Sequence, residues 1–325
     1  MEALERKNNE IEKKALRKEM IKEFVPLGGL IALVILFSIL THGRFLTIMN
    51  LSMILNQSFT LIITSLGAVF LYTFGAFHVG LGSICMLSAI CSVMVAINTG
   101  SGILSFLVCI AVSVVSNIII AFVACKMNVI PFVGSLCISF IAQGLASQLL
   151  STGEISMPSS ISNAVDKPLI KLIVAIVAIV VIYILFERTK VGNYCKAIGG
   201  NETVARQSGI PVDRYKFIAF IISGIMLGIA AFFLVCRIKQ ASTTTGDGLH
   251  MQVMLSIILG GMSLRGGPKS RMTAPIIGSL ITYTLSSGFS LLSVSPYYIE
   301  FIQGIIFLAV IFTVFPKKRT GALPN

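Results

Sequence analysis

The feature that most constrains this chain is a series of apolar segments that recur from residue 26 to residue 315, each nearly long enough to cross a lipid bilayer. A helix needs about 20 apolar residues to span the hydrocarbon layer. Hydrophobic residues make up 55% of the sequence and charged residues only 12%, and a soluble domain could not bury that much apolar surface. We therefore expect an all-α, polytopic bundle of transmembrane helices forming one integral membrane domain.

Hydropathy divides these segments into ten candidate spans. Their approximate limits are residues 26–42, 51–74, 78–97, 102–125, 129–150, 168–186, 217–236, 250–264, 273–292 and 297–315. The third and the eighth contain glycine and histidine, and the eighth also contains glutamine. We expect these two to be broken or partial helices.

The placement of lysine and arginine predicts the orientation of the bundle. If the N-terminus is cytoplasmic, 20 of the 25 basic residues lie in cytoplasmic segments. The other five lie outside or near the outer boundary: Arg44, Lys167, Lys171, Arg237 and Lys239. This asymmetry follows the positive-inside rule, so we expect both termini in the cytoplasm. The excess of basic residues in cytoplasmic segments thus explains the net charge of +12. Because the chain lacks a folded basic surface, we expect no nucleic-acid partner.

The N-terminal segment has a different character from the rest of the chain. Its first 24 residues carry seven basic and six acidic side chains at helical spacing, whereas a signal peptide has few acidic residues and a small-residue cleavage site. We predict a charged cytoplasmic helix over residues 1–25, followed by a membrane domain over residues 26–325. The seven cysteines, which include no C-x-x-C pair, predict neither a disulfide framework nor a metal site.

A polar segment, residues 187–216, interrupts the apolar pattern. Asn201 can cap a short helix, Glu202 and Arg206 are spaced as an i, i+4 pair, and Gly209 can adopt the left-handed conformation that ends a helix. A helix of two turns is marginal alone in water. We expect it to dock either on its own protein or on a partner, and an ordinary capped loop helix is the alternative interpretation.

Glycines form two clusters, one in each half of the chain. The first is GAFHVGLGS at residues 75–83, and the second is TGDGLHMQVMLSIILGGMSLRGG at residues 245–267. Close helix packing explains many membrane glycines. Two clusters beside interrupted spans instead favour discontinuous helices along a solute path.

Three stretches of this sequence, taken in order and spacing, resemble the permease subunit of bacterial ribose-type ABC importers. They are GAFHVGLGSICMLSA at residues 75–89, TKVGNYCKAIGGNETVARQSGIPVDRYK at 189–216 and LGGMSLRGG at 259–267. The resemblance covers roughly residues 45 to 315 and implies that the polar segment holds the coupling helix, which sits in a cleft of the ATPase subunit. By position, that role falls on Gly199, Gly200, Asn201, Glu202, Ala205, Arg206 and Gly209.

The same resemblance implies the partners. They are two ATPase domains, an extracytoplasmic substrate-binding protein and a second permease subunit, identical or different, in the bacterial inner membrane. The chain has no G-x-x-x-x-G-K-[ST] phosphate-binding loop. We therefore expect no catalytic site and no cofactor in this chain, with ATP and Mg²⁺ bound by the partner ATPase.

The chain departs from that family at both glycine clusters. Where ribose-type permeases commonly read Asp-Leu-Ser-Val-Gly-Ser, this chain reads HVGLGS at residues 78–83, and where they read Gly-Tyr-Glu-Leu-Asp it reads GLHMQ at 248–252. Ionisable groups inside a membrane are costly and often functional, so these positions are candidates for the solute path. The candidates are His78, Gly80, Gly82, Ser83, His250 and Gln252.

These observations favour a permease for a small neutral polar solute, such as a pentose or related monosaccharide, that works by alternating access. A nucleoside is the alternative solute. Two further hypotheses come from other classes: a secondary transporter driven by an ion gradient, and an intramembrane hydrolase in which Ser83 or Ser256 pairs with His78 or His250. Asp and Glu are scarce in the spans, which argues against the secondary transporter.

Overall fold

The computed structural model describes residues 25–314, except residues 128, 152 and 264–265. The predicted N-terminal helix over residues 1–25 therefore lies, apart from its last residue, outside the described residues. Ten helices correspond one to one to the ten predicted apolar segments. They are α1 (Val25–Leu40), α2 (Ile48–Thr73), α3 (Leu81–Thr99), α4 (Gly102–Lys126), α5 (Pro131–Leu149), α7 (Pro168–Tyr183), α10 (Val212–Ile238), α11 (Leu249–Leu259), α12 (Thr273–Leu291) and α13 (Pro296–Val314).

Shorter elements connect these helices. They are a 3₁₀ turn (Arg44–Leu46), strand β1 (Ile155–Ser156), helix α6 (Ser159–Val165), a π-helical extension of α7 (Ile184–Arg188), α8 (Lys190–Gly200), α9 (Glu202–Gln207) and strand β2 (Gln240–Ala241). Two of these helices, α8 and α9, lie wholly within the polar segment, and the sequence predicted the second of them.

Six helices are long and apolar enough to cross a membrane by length and composition: α2, α3, α4, α5, α7 with its π-helical extension, and α10. An all-α, polytopic bundle is confirmed, while the total of ten spans and the orientation of the termini stay predictions. The partial helix predicted over 250–264 is confirmed, since α11 has 11 residues. The third span differs from its prediction, because α3 is continuous and Gly75 and Gly80 lie before it.

The centre of the bundle is formed by α2 and α10, which pack on each other. In their most apolar stretches 78% and 72% of residues are buried, against 22% in α7. Glycines allow the helices to approach closely: a Cβ at Gly228 of α10 would lie 2.5 Å from the Cα of Ile110 in α4. This agrees with the use of small residues at membrane helix interfaces, while the outer helices expose leucine, isoleucine and valine.

The two ends of the bundle carry different structures. At one end α2 stops at Thr73, against α8 of the polar segment. At the other end β1 pairs antiparallel with β2, and the buried Lys171 forms an ion pair with Asp166 and donates to Asn56 Oδ1 at 3.1 Å. The chain enters α10 from the polar segment and leaves it at β2, so this helix connects the two ends.

Candidate solute cavity and polar segment

The two glycine clusters meet inside the bundle. A Cβ at Gly82, in the first turn of α3, would lie 2.5 Å from the carbonyl oxygen of Gly246, and a Cβ at Gly246 would lie 3.0 Å from the carbonyl oxygen of Gly82. Gly246 also has a φ of 79°, which favours glycine. Only residues without a side chain fit this contact, so α3 and the loop before α11 are held together.

A cavity of about 420 Å³ opens beside this contact, and we name it the central cavity. Three parts of the chain form its wall: the start of α3, one face of α5, and the loop 243–248 with the first turn of α11. The lining residues are Val79, Gly82, Ser83, Met86, Leu136, Ser139, Phe140, Gln143, Ser147, Thr243, Thr245, Gly246, Asp247, Gly248 and His250. The wall is therefore a mixture of apolar surface and small neutral polar groups.

A hydrogen-bonded cluster organises the polar side of the cavity. The hydroxyl groups of Ser83 and Ser139 share a hydrogen bond of 2.6 Å, and Gln143 Nε2 donates to Ser83 Oγ at 3.0 Å. A weaker contact joins Gln143 Nε2 to Ser139 Oγ at 3.4 Å. The cluster links α3 to α5 and presents hydroxyl and amide groups to the cavity.

Another part of the wall is a loop fixed by its own side chains. Thr245 Oγ1 accepts a hydrogen bond from the Ser242 backbone N–H at 2.9 Å, and Asp247 Oδ1 accepts one from the Gly248 N–H at 2.9 Å. Gly248, with a φ of 68°, begins α11. These bonds hold an irregular backbone within the bundle, where it lines a cavity rather than lipid.

Three of the six residues assigned to the path from sequence line this cavity, namely Gly82, Ser83 and His250. The other three lie elsewhere. His78 is buried and its Nε2–H donates to Asn117 Oδ1 at 3.0 Å. A Cβ at Gly80 would lie 2.8 Å from the Ser135 carbonyl oxygen, and Gln252 Oε1 accepts from the hydroxyl of Tyr283 at 3.4 Å.

Sequence reasoning missed the contribution of α5. Ser139, Gln143 and Ser147 all line the cavity and are spaced four residues apart, so they share one face of the helix. A polar stripe on an otherwise apolar span was the signal that could have identified them.

The hydroxyl groups proposed for a hydrolase have other partners. Ser83 is bonded to α5, and Ser256 Oγ shares a hydrogen bond of 2.9 Å with Ser65 Oγ. The ring of His78 donates to Asn117. Within the described part of the chain, no hydrogen bond joins Ser83 or Ser256 to a histidine, so the serine–histidine pair of the hydrolase hypothesis lacks its defining contact.

Helix α9 has the caps that the sequence predicts. Asn201 Oδ1 accepts from the Val204 N–H at 3.1 Å, and Gly209 has a φ of 80°. Arg206 lies 3.5 Å from Glu202 and donates two stronger bonds, of 3.0 and 3.2 Å, to the carboxylate of Asp213. The hydrogen bonds to Asp213 raise the pKa of Arg206 above its usual value.

Helix α9 docks on its own protein through an apolar contact, besides the ion pairs of Arg206 with Asp213 and of Glu202 with Lys216. Ala205 is buried and packs with Ile198 of α8 and Val212 of α10, with Phe74 partly covering the cluster. Val204 is 54% exposed, and Asn201, Glu202 and Arg206 are also exposed. The helix therefore presents a mixed apolar and charged surface to its surroundings.

Glycines also join the polar segment to the centre of the bundle. A Cβ at Gly199 would overlap the carbonyl oxygen of Thr73, the last residue of α2, and so would one at Gly266. The same oxygen accepts a hydrogen bond from the Gly267 N–H at 2.8 Å. Gly200 is less restricted, since a Cβ there would meet only the Pro268 ring at 3.6 Å.

Comparison with known proteins identifies the family. Residues 50–311 match the model of a family described as a branched-chain amino acid transport system, permease component. This chain belongs to that family. No solved structure matches this chain.

Curated relatives are similar over most of the chain. The ribose import permease protein RbsC of Escherichia coli K12 is 28% identical over 296 residues, which are 87% of this chain and 91% of that protein. RbsC of Bacillus subtilis is 27% identical over 304 residues, covering 90% and 92%. The L-arabinose transport system permease protein AraH of E. coli K12 is 37% identical over 136 residues, covering 42% and 41%. The resemblance to ribose-type ABC permeases and the multi-pass location in the bacterial inner membrane are thereby confirmed.

Proposed function

We propose that this chain is the translocating subunit of an ABC importer for a neutral sugar, a pentose or a related monosaccharide. The observation that carries the proposal is the chemistry of the central cavity. A sugar presents hydroxyl groups that both donate and accept hydrogen bonds, and Ser83, Ser139, Gln143 and Thr245 offer matching neutral groups around a volume of about 420 Å³. The names of the ribose and arabinose relatives agree with this substrate class.

The residues that line the cavity also distinguish between a sugar and two alternative solutes, an amino acid and a nucleoside. An amino acid carries an ammonium and a carboxylate, and burying both without partners is costly. Among the lining residues the sole carboxylate is Asp247, which already accepts a backbone hydrogen bond, and no lysine or arginine is present. A nucleoside is a second candidate solute, because Phe140 in the wall offers an aromatic face on which a base can stack.

The driving energy comes, in this proposal, from a separate ATPase that binds ATP and Mg²⁺. Helix α9 serves as the coupling helix: its exposed Val204, Glu202 and Arg206 contact the ATPase, and Gly199, Gly200, Asn201, Ala205 and Gly209 hold the helix in place. Closure of the ATPase pair then moves the end of α2 through the contact between Gly199 and Thr73, and the cavity opens alternately to each side. A substrate-binding protein delivers the sugar, and a second permease subunit completes the path.

Transport by the reconstituted complex tests this function. The chain is purified in mild detergent with its associated subunits, reconstituted in liposomes with the binding protein, and assayed with labelled ribose, arabinose, uridine and leucine. We expect uptake of a pentose that requires ATP and resists a protonophore. Uptake of leucine alone would overturn the substrate class, and uptake that is independent of ATP but abolished by the protonophore would favour the secondary transporter.

A further inference from the structure

Helix α5 packs on α3 and α4 and leaves one face of the helix uncovered. In its most apolar stretch 28% of residues are buried, close to the 22% of α7. The exposed surfaces of these two helices differ in chemistry. The large exposed side chains of α7 are aliphatic, for example Leu172 and Ile176, whereas α5 exposes Gln143, Ser147 and Gln148. Helix α5 thus presents polar groups where α7 presents hydrocarbon.

These polar side chains have hydrogen-bonding groups without partners in their own chain. Gln143 Nε2 donates to Ser83, but among the described residues no group donates to Gln143 Oε1. The side chains of Ser147 and Gln148 make no hydrogen bond within the same part of the chain. Gln143 is six residues before the end of α5, which places it about 9 Å inside the helix. Because hydrocarbon offers no hydrogen bonds, polar groups at this depth require a protein or water partner.

The exposed face of α5 is also part of the wall of the central cavity. Phe140, Gln143 and Ser147 line the cavity, and we name these three residues the α5 patch. Phe140 is 64% exposed, and the other two are exposed as well. Residues three and four positions apart share one face of a helix, so the cavity wall continues onto the outer surface of α5. A cavity that holds a polar solute cannot open onto hydrocarbon, and this side therefore needs a protein cover.

Two properties of the α5 patch fit a second copy of this chain as the cover. An amide and a hydroxyl group each donate and accept hydrogen bonds, so the patch is complementary to itself across a two-fold axis. Side chains of this kind also hold membrane helices together. In addition, α5 contains no charged residue, so two copies meet without repulsion between like charges. A charged partner, by contrast, would find no opposite charge on this helix.

We propose that the α5 patch is the contact surface between two identical copies of this chain, related by a two-fold axis along the membrane normal. Gln143 of one copy then faces Gln143 of the other, and the two central cavities open towards each other. This orientation leaves α9 of both copies on the same side of the membrane. The inference rests on the proposed pairing of two permease subunits, and it specifies the contact surface and the identity of the second subunit.

Cysteine crosslinking in the native membrane tests this contact. Two forms of the full chain that carry different epitope tags are expressed together with the other subunits, and a short bifunctional maleimide is added. Cys137, the exposed cysteine of α5, is first replaced by alanine. In this background we expect Ser147→Cys to give an adduct that carries both tags. The substitution is nearly isosteric, and Ser147 has no side-chain hydrogen bond to lose within the described part of its own chain.

Leu145→Cys in the same background is the matched control. Leu145 is 51% exposed and lies at nearly the same depth in the membrane as Ser147. Two residues along a helix are about 200° apart around its axis, so Leu145 points away from the α5 patch. We expect no two-tag adduct from this position. A monofunctional maleimide confirms that both introduced thiols react.

Three results separate the proposal from its alternatives. An adduct that joins the tagged chain to a different permease would overturn the identity of the two copies. Equal two-tag adducts from both positions, or none from Ser147→Cys while its thiol reacts with the monofunctional reagent, would overturn the contact surface. Crosslinking does not depend on uptake, so a two-tag adduct in a complex that transports no sugar would sustain the contact and contradict the proposed function alone.

Discussion

Gly199 packs against the carbonyl group of Thr73 so closely that no side chain fits between them. Thr73 ends α2, the most buried of the candidate membrane spans, and Gly199 lies three residues before Glu202, the first residue of α9. The loop from Gly266 to Gly267 meets the same carbonyl group. In the proposed mechanism, a movement of α9 reaches the centre of the bundle through these main-chain contacts, which are stiffer than contacts between flexible side chains.

A pair of alanine substitutions tests this contact. Gly199→Ala forces its Cβ against the Thr73 carbonyl, and overpacking of this kind costs about 1–3 kcal/mol. We expect less sugar transported per ATP hydrolysed by the reconstituted complex. Gly144→Ala in α5 is the matched control, since a Cβ there meets nothing within 4 Å. Equal transport per ATP in the two variants would contradict a transmitting role for the contact.

The surface of α9 gives a second prediction. Arg206→Glu places a third carboxylate beside Glu202 and Asp213, and Gly209→Val puts a β-branched residue at a φ of 80°, which is strained. We expect both variants to reach the membrane and to lose the coupling between ATP hydrolysis and uptake. Arg206→Lys, which keeps a single positive charge, serves as the control, and wild-type uptake in both test variants would count against the coupling role.

The serine cluster of the central cavity gives a third prediction. Ser83→Ala removes the hydroxyl that bonds both Ser139 and Gln143, and a lost hydrogen bond to a polar solute costs about 0.5–1.5 kcal/mol. We expect the apparent KM for sugar uptake to rise about two- to tenfold. Ser88→Ala is the control, because that hydroxyl donates to Ile84 O within α3 at 2.6 Å. An unchanged KM in Ser83→Ala would remove this residue from the solute path.

The two histidines should behave differently when each is replaced by alanine. His78→Ala leaves the buried Asn117 Oδ1 without its donor, so we expect a loss of thermal stability that corresponds to about 1–3 kcal/mol. His250, which lines the cavity, should instead change uptake with a smaller effect on stability. Thermal unfolding in detergent and uptake assays measure both quantities. The opposite pattern would place His78 in the path.

Much of the fold could be predicted because apolar length is a strong local signal. The segment 51–74 became α2 over Ile48–Thr73, and 102–125 became α4 over Gly102–Lys126. Helix α10 starts at Val212, five residues before the predicted span, since its polar first turn, with Asp213, has low hydropathy. Helix α8 and the pairing of β1 with β2 lie outside the apolar spans. Hydropathy therefore does not predict them.

The site was predictable only in part, for a physical reason. The caps at Asn201 and Gly209 depend on residues that are close in sequence, so the local sequence pattern predicts them. The fit of Gly82 to Gly246 and of Gly199 to Thr73 depends on residues far apart in the chain, which no local pattern encodes. His78 and His250 both stand where ribose-type permeases commonly have an acid, yet His78 is buried against Asn117 of α4, whereas His250 lines the cavity.

Photocrosslinking from α9 in the native membrane tests whether this helix contacts the ATPase. A benzophenone amino acid replaces Val204, which is 54% exposed, and as control Val115 of α4, which is also 54% exposed. We expect position 204 to crosslink to an ATPase subunit with a yield that changes with ATP, and we expect no such crosslink from position 115. Absence of an ATPase adduct at position 204, in a protein that is still folded in the membrane, would contradict the coupling role of α9.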